Sequence, residues 1–235
     1  MSTAEVENHP LDHAAWASLT GPHAHFAQGT GQALRYPGDV SPIMAISPSA
    51  DERVWADLHT LVGPGGLVFL SGALPAVPAD WQIEMQGDGV QLVATEALKS
   101  EPSDDLVTLG AADVPEMLDL VARTQPGPFE PRTCQLGTYL GVRDGGALVA
   151  MAGERLHPPG WTEISAVCTD PAHRGRGLAT TLVRAVAHHI RERGETPFMH
   201  ASADNANAIR LYLSMGFELR RHVLFTALRS PGTKP

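Results

Sequence analysis

Apolar positions along this chain recur at two periods, every second residue in short runs and every third or fourth in longer ones, with Gly, Pro, Asp and Asn between them. In the first half, IMAIS (43–47), GLVFLS (66–71), WQIEMQ (81–86) and VQLVA (90–94) read as strands, and a helix runs over DERVWADLHTLVG between the first two. The intervening QGDG makes the last two strands a hairpin. The polar stretch SEPSDD (100–105) then separates two units, residues 1–105 and 106–235.

The second unit opens with the strand LVTLG and a helix to about Thr124, in which Asp113 caps, Pro115 enters the first turn and Glu116 completes a capping box. Three strands follow: TYLGV (138–142), ALVAMAGE (147–154) and TEISAVCT (162–169). Their connections, RDGG and HPPG, are too short for a crossover, so the strands run antiparallel. Leu178, Leu182, Val186 and Ile190 form the apolar stripe of a helix from about Leu178 to Arg193, which Gly194 ends. A strand (TPFMHAS), a helix (NANAIRLYLSM) stopped at Gly216 and a terminal strand from Phe217 to Leu228 complete the order. The fold class is mixed α/β (α+β), with a parallel portion beginning at the loop before Leu178.

Of the 235 residues, 43% are hydrophobic, enough for substantial cores. The sequence has no run of eighteen apolar residues and no charged-then-apolar leader, which predicts a cytoplasmic protein with no membrane partner. Cys134 and Cys168 are the only cysteines, too few for a disulfide framework or a four-cysteine zinc site. His9, His13, His23 and His25 lie in a Pro- and Gly-rich segment without partnering Cys, so they read as solvated surface and no metal is expected.

Net charge is −9, which argues against nucleic acid as a partner. Residues 1–110 carry 14 acids and 3 bases, whereas residues 111–235 carry 12 acids and 14 bases. An acidic first unit attracts cationic small molecules. Five of the bases lie between Arg174 and Arg193, where an anionic small molecule is drawn.

RGRGLAT (174–180) is the focus of that charge. A glycine-rich turn entering a helix exposes main-chain N–H groups without intrahelical partners, and the helix dipole adds positive charge there. Gly175 and Gly177 let an anion approach the backbone, and Arg174 and Arg176 add charged donors. A P-loop is excluded, because no Lys follows the glycines and their spacing is wrong. GRGLAT misses the dinucleotide fingerprint at Thr180. Although Asp204 lies near a ribose-binding position, three antiparallel strands precede the loop and only 58 residues follow Gly177.

ISAVCTDPAHRGRGLATTLV resembles the acetyl-coenzyme A (acetyl-CoA) motif of the GNAT superfamily of N-acetyltransferases, with Arg174, Gly177 and Ala179 at its signature positions. NANAIRLYLSMGFE resembles the second motif through Asn205, Asn207, Ala208, Tyr212, Gly216 and Phe217. The likeness covers about 106–228. The first unit matches no GNAT motif, and its elements suit a smaller degenerate copy, as in glycine N-acyltransferase-like proteins.

The resemblance implies that main-chain amides from Gly175 through Arg176, Gly177, Leu178 and Ala179 to Thr180 bind the diphosphate of acetyl-CoA. Val167, Cys168 and Thr169 would meet its pantetheine arm, and an N–H near Val167 or Cys168 its oxyanion. Tyr212 would protonate the leaving thiolate. Glu154 and Glu163 stand together as candidate bases, and His200 and Ser202 as relay groups. Glu163 shares a face with Val167 only if no bulge intervenes. Cys168 has no local activating partner, which favours direct transfer over an acetyl-cysteine. The expected function is acetyl transfer from acetyl-CoA to the primary amine of a small molecule or amino-acid-like acceptor. The alternatives are a non-catalytic acyl-CoA sensor and, more distantly, a nucleotide-dependent dehydrogenase. Pairing of C-terminal strands leaves a homodimer open.

Overall fold

The computed structural model describes residues 9–233. The first half contributes α1 (Ala14–Leu19), β1 (Ala33–Arg35), β2 (Met44–Ile46), α2 (Val54–Val62), β3 (Leu67–Ser71) and β4 (Gln82–Ala94). The second contributes β5 (Val107–Leu109), α3 (Val114–Thr124), β6 (Tyr139–Asp144), β7 (Ala147–Glu154), β8 (Trp161–Thr169), α4 (Leu178–Glu192), β9 (Thr196–Ser202), α5 (Ala206–Met215) and β10 (Phe217–Arg229). Eight strands form one sheet in the order β3-β10-β4-β9-β8-β7-β6-β5, with β1 and β2 as a separate pair. The second-half order is the one the periodicity predicts, and β8 and β9 are the parallel pair.

The expected hairpin at QGDG is absent. Residues 82–94 form one strand, paired along its length with β10 and through Gly89–Val93 with β9. Gly89 is small for a packing reason, since a Cβ there would lie 2.2 Å from the Phe225 ring. Thus β4, which precedes the polar segment 100–105, lies between β10 and β9, which follow it. One sheet is built from both sides of that segment.

Opposite faces of the sheet are covered differently. Leu182, Val183, Val186 and Ile190 of α4 and Tyr212 and Met215 of α5 pack on Leu92, Ala150, Ala152, Ile164 and Met199. On the other face, Met117 and Leu120 of α3 meet Tyr139, Met151, Ala166 and Cys168, while Leu11, Leu19 and Tyr36 cover Val93 and Phe198. Asp113 does not cap α3; its carboxylate accepts from the Gly110 N–H at 2.9 Å, and both Asp113 and Glu116 take Arg143.

The charge asymmetry is partly internal. Asp12 pairs with Arg220 and Arg221, Asp39 with Arg132, Glu84 with Arg229 and Glu101 with Arg184. Acids of the first half thereby fasten it to bases of the second, leaving less free negative charge than the count suggests.

Candidate active site

Strands β8 and β9 pair in parallel only over Trp161–Glu163 and Thr196–Phe198. Beyond that point they part, and among the described residues the β9-facing edge of β8 has no strand partner. A bulge shapes that edge: the β7–β8 register shifts between Met151 and Gly153, and Ala166 takes the left-handed conformation at φ 51°. The bulge puts Val167 on the α4 face and Ala166 and Cys168 on the α3 face. Glu163 lies opposite Ile164 and so away from Val167, which answers the condition set by the sequence. The Asp170 N–H bonds the Val149 carbonyl on the β7 side. By alternation from there, the N–H groups of Thr169 and Val167 face the opening, while the Cys168 main chain faces β7.

Arg174 to Thr180 follow at the mouth of this gap. Gly175 and Gly177 both adopt φ 78°, and a Cβ on either would meet nothing within 4 Å, so backbone conformation alone calls for glycine. The first amide of the turn with an internal partner is Thr181, which bonds the Gly177 carbonyl at 3.1 Å. Among the described residues, the N–H groups of Arg174, Gly175, Arg176, Gly177, Leu178, Ala179 and Thr180 donate to no protein acceptor. Arg174 Nε donates to the Thr169 carbonyl at 3.3 Å, and Arg176 pairs with Asp144 at 3.0 Å. The arginines therefore brace the turn as well as lending it charge.

Tyr212 is buried beneath α5, and its hydroxyl makes no hydrogen bond among the described residues. Burial, with the neighbouring Cys168 second, pushes that hydroxyl up to about 12, so it is protonated at neutral pH. Burial also pushes the Cys168 thiol up to about 11, against the hydrogen bonding around it, which keeps it from being a nucleophilic thiolate. At the start of α5, Asn205 caps the helix by accepting from the Ala208 N–H at 3.1 Å, and Asn207 accepts from Arg210.

The two carboxylates are far from equivalent. Glu154 lies at the opposite end of α4 from the glycine turn, a helix of 15 residues and so about 22 Å long. It accepts from Arg193 at 3.0 Å and from the Thr138 N–H at 3.2 Å, and burial pushes its carboxyl up against the pull of Arg193. Glu163 is fully buried where β8 and β9 part. Arg155 grips it with two bonds, 2.8 and 2.6 Å, and His200 Nδ1 lies 2.7 Å away. Burial alone would raise its carboxyl; Arg155, then His200, overrules this and holds it well below the ordinary carboxylate range.

His23, expected on the surface, is buried. It bonds Tyr36 at 3.0 Å, its ring lies 4.7 Å from that of His157 at a tilt of 41°, and no group of three or more metal-ligating side chains occurs among the described residues. The sequence reasoning passed over Arg155 and Gln91; an Arg directly after β7 and eight residues before Glu163, across a short link, was the available signal.

This architecture has close counterparts. A GNAT-family protein from Novosphingobium aromaticivorans is 38% identical, covers 97% of this chain and all of its own, and superposes with a TM-score of 0.87. The chain belongs to the GNAT family of acetyltransferases. The FR47-like protein family matches residues 139–226, the stretch from β6 into β10. A mycothiol acetyltransferase from Thermomonospora curvata is 34% identical over 126 residues, and the match covers 51% of this chain but only 40% of that relative. A second mycothiol acetyltransferase, from Nocardia farcinica, is 28% identical over 88% of this GNAT chain and 72% of its own. No helix among the described residues is long and apolar enough to cross a membrane.

Proposed function

We propose that this GNAT protein is a cytoplasmic enzyme that transfers the acetyl group of acetyl-CoA directly to a primary amine of a small-molecule acceptor. The observation that carries the reading is the run of seven unpartnered amides at the head of α4, opening onto the unpaired edge of β8. In this reading the diphosphate sits on the amides of Gly175, Arg176, Gly177, Leu178, Ala179 and Thr180, with Arg174 beside it. The pantetheine arm, itself an amide chain, adds to the β8 edge through Val167 and Thr169 as a strand would. Asn205 and Asn207 border the cofactor from the head of α5. At the bulge, an N–H turned into the gap stabilises the oxyanion.

Tyr212 supplies the proton for the departing sulfur. A hydroxyl held protonated, with its donor capacity unspent in the protein, suits that role. Glu163 acts by holding its neighbours in place, because a carboxylate pinned by Arg155 is a weak proton acceptor. Glu154, tied to Arg193, stays outside the reaction. An acceptor of the kind on which mycothiol acetyltransferases act belongs among the first to be tried.

The test pairs binding with turnover. Calorimetric titration should give tighter binding of coenzyme A than of pantetheine, which lacks the diphosphate, and a panel of primary amines should release free thiol from acetyl-CoA. Equal affinity for the two ligands, or binding without thiol release by any amine, refutes the enzymatic reading.

A further inference from the structure

The stretch QGDG (86–89), a turn by its sequence, leaves a gap in the side-chain cover of the sheet. Gly87 and Gly89 lie two apart on β4 and so share one face. A Cβ on Gly89 would fall 2.2 Å from the Phe225 ring, whereas one on Gly87 would meet a single atom within 4 Å, the Met85 sulfur at 3.8 Å. Phe225 therefore lies over Gly89, Met85 stands beside Gly87, and the space above Gly87 is open. Both flanking side chains reach solvent: Phe225 is half-buried and Met85 is 45% exposed. A partly open aromatic ring and a thioether over bare backbone make a small apolar recess.

Its position ties the recess to the reactive gap. Gly89 pairs with Ser202, the last residue of β9, and Gln91 pairs with His200. The Phe225 ring lies 6.0 Å from the ring of His200, which meets Glu163 on the side of β8 opposite Ile164. The recess is thus on the α3 face of the sheet. β8 and β9 pair no further than Phe198, so Ser202 borders the opening between them. A ring over Gly89 is one strand spacing, about 5 Å, from Ser202. The cofactor belongs to the other face, because the free amides head α4 and both Val167 and Tyr212 pack on the α4 side. The α3 face is left for the acceptor.

From this placement we propose that Phe225 and Met85, over the glycine strip of β4, form an acceptor subsite that selects primary amines carrying an aromatic group on a short link. The inference rests on the acetyltransferase reading above and names its class of acceptor. A two-carbon link spans about one strand spacing, so phenethylamine can hold its nitrogen at the gap while its ring enters the space above Gly87. There the ring meets Phe225 edge or face and the Met85 sulfur at its rim, the contacts that aromatic rings and thioethers favour. Ethanolamine, with the same link and a hydroxyl in place of the ring, leaves both side chains wet.

The experiment measures kcat and KM for phenethylamine and ethanolamine, by thiol release from acetyl-CoA, in wild type, Gly87→Val and Phe225→Ala. Wild type should prefer phenethylamine by about 10-fold or more in kcat/KM, from burial of its ring. Gly87→Val fills the recess without a clash, so it should erase that preference through KM while melting temperature and coenzyme A affinity hold. Phe225→Ala should shift the ratio in the same direction. Independently, the Met85 methyl resonance of methyl-labelled protein, assigned with Met85→Gln, should move upfield with phenethylamine and stay in place with ethanolamine. A wild type without preference, a Gly87→Val variant that keeps it, loss in Phe225→Ala that is equal for both amines, or an unmoved methyl resonance overturns the subsite while thiol release still supports the enzyme. Absence of thiol release with every amine overturns the enzyme reading, and the methyl shift then decides the subsite by itself.

Discussion

Replacing Gly177 by Ala separates what the glycine turn contributes to the fold from what it contributes to the ligand. Gly177 sits at φ 78° with open space where a Cβ would go, so the substitution meets no clash and costs only the left-handed conformation, about 1–2 kcal/mol for an L-residue. For a protein of this size each kcal/mol lowers the melting temperature by about 2–4 °C, giving an expected fall of about 2–8 °C. Gly194, just beyond α4 at the far end, provides the control. It has φ 76° and the same open space, and Gly194→Ala should cost the same stability.

The two variants diverge only at the diphosphate. A Cβ on Gly177 occupies space above the unpartnered amides, and a hydrogen bond to a charged group is worth about 1.5–3 kcal/mol. Loss of one such bond weakens coenzyme A by roughly 10- to 150-fold, at 1.4 kcal/mol per tenfold. Differential scanning calorimetry gives the stability cost and calorimetric titration with coenzyme A gives the affinity. Gly177→Ala should lose affinity and Gly194→Ala should not. Equal affinities in the two variants would refute the assignment of the diphosphate to this turn, whatever their melting temperatures.

Other expectations follow from the same contacts. Tyr212→Phe should reduce thiol release by about 100-fold or more while leaving the melting temperature within about 2 °C, because the lost hydroxyl has no internal partner; wild-type turnover would remove Tyr212 from the chemistry. Arg155→Met strands the Glu163 carboxylate in the interior at a cost of about 3–5 kcal/mol, and adding Glu163→Leu should recover most of it. Urea denaturation of the single and double variants checks this, and an unaltered midpoint in the single variant contradicts it. Burial, reinforced for His23 by His157 and for His157 by Arg193, holds both imidazoles down to about 4. Their unfolded forms bind protons first, so stability is complete above about pH 6.5 and falls as pH drops toward 4, by up to about 3 kcal/mol for each. Urea midpoints flat from pH 7.5 to 5 would rule out this coupling, and His23→Phe should flatten the slope.

The second half was legible because its signals are local. The four-residue stripe from Leu178 to Ile190, the Pro115 start and the Gly216 stop each report on their own helix, and the short links at RDGG and HPPG leave antiparallel pairing as the one route between strands. The failures share a different cause. Gly87 and Gly89 look like turn residues because a missing side chain reads as conformational freedom, whereas at Gly89 it is room for Phe225, a ring 136 positions away in sequence. His23 looks solvated among Pro and Gly, yet its burial is set by Tyr36 and His157. Glu154 and Glu163 carry the same chemistry in adjoining strands and nothing nearby in sequence ranks them.

What ranks them is the partner each finds across the sheet. The bulge at Ala166 turns Val167 away from Glu163, and β9, which brings His200 to Glu163, pairs with β4, which brings Gln91 to His200. Gln91 comes from the first half, on the strand that the sequence divides into a hairpin. The first half therefore supplies a central strand of the sheet, and through Gln91 it reaches His200, the partner of Glu163. The surroundings of Glu163 thus draw on residues from both sides of position 105, and they become readable only when that strand is placed between β9 and β10.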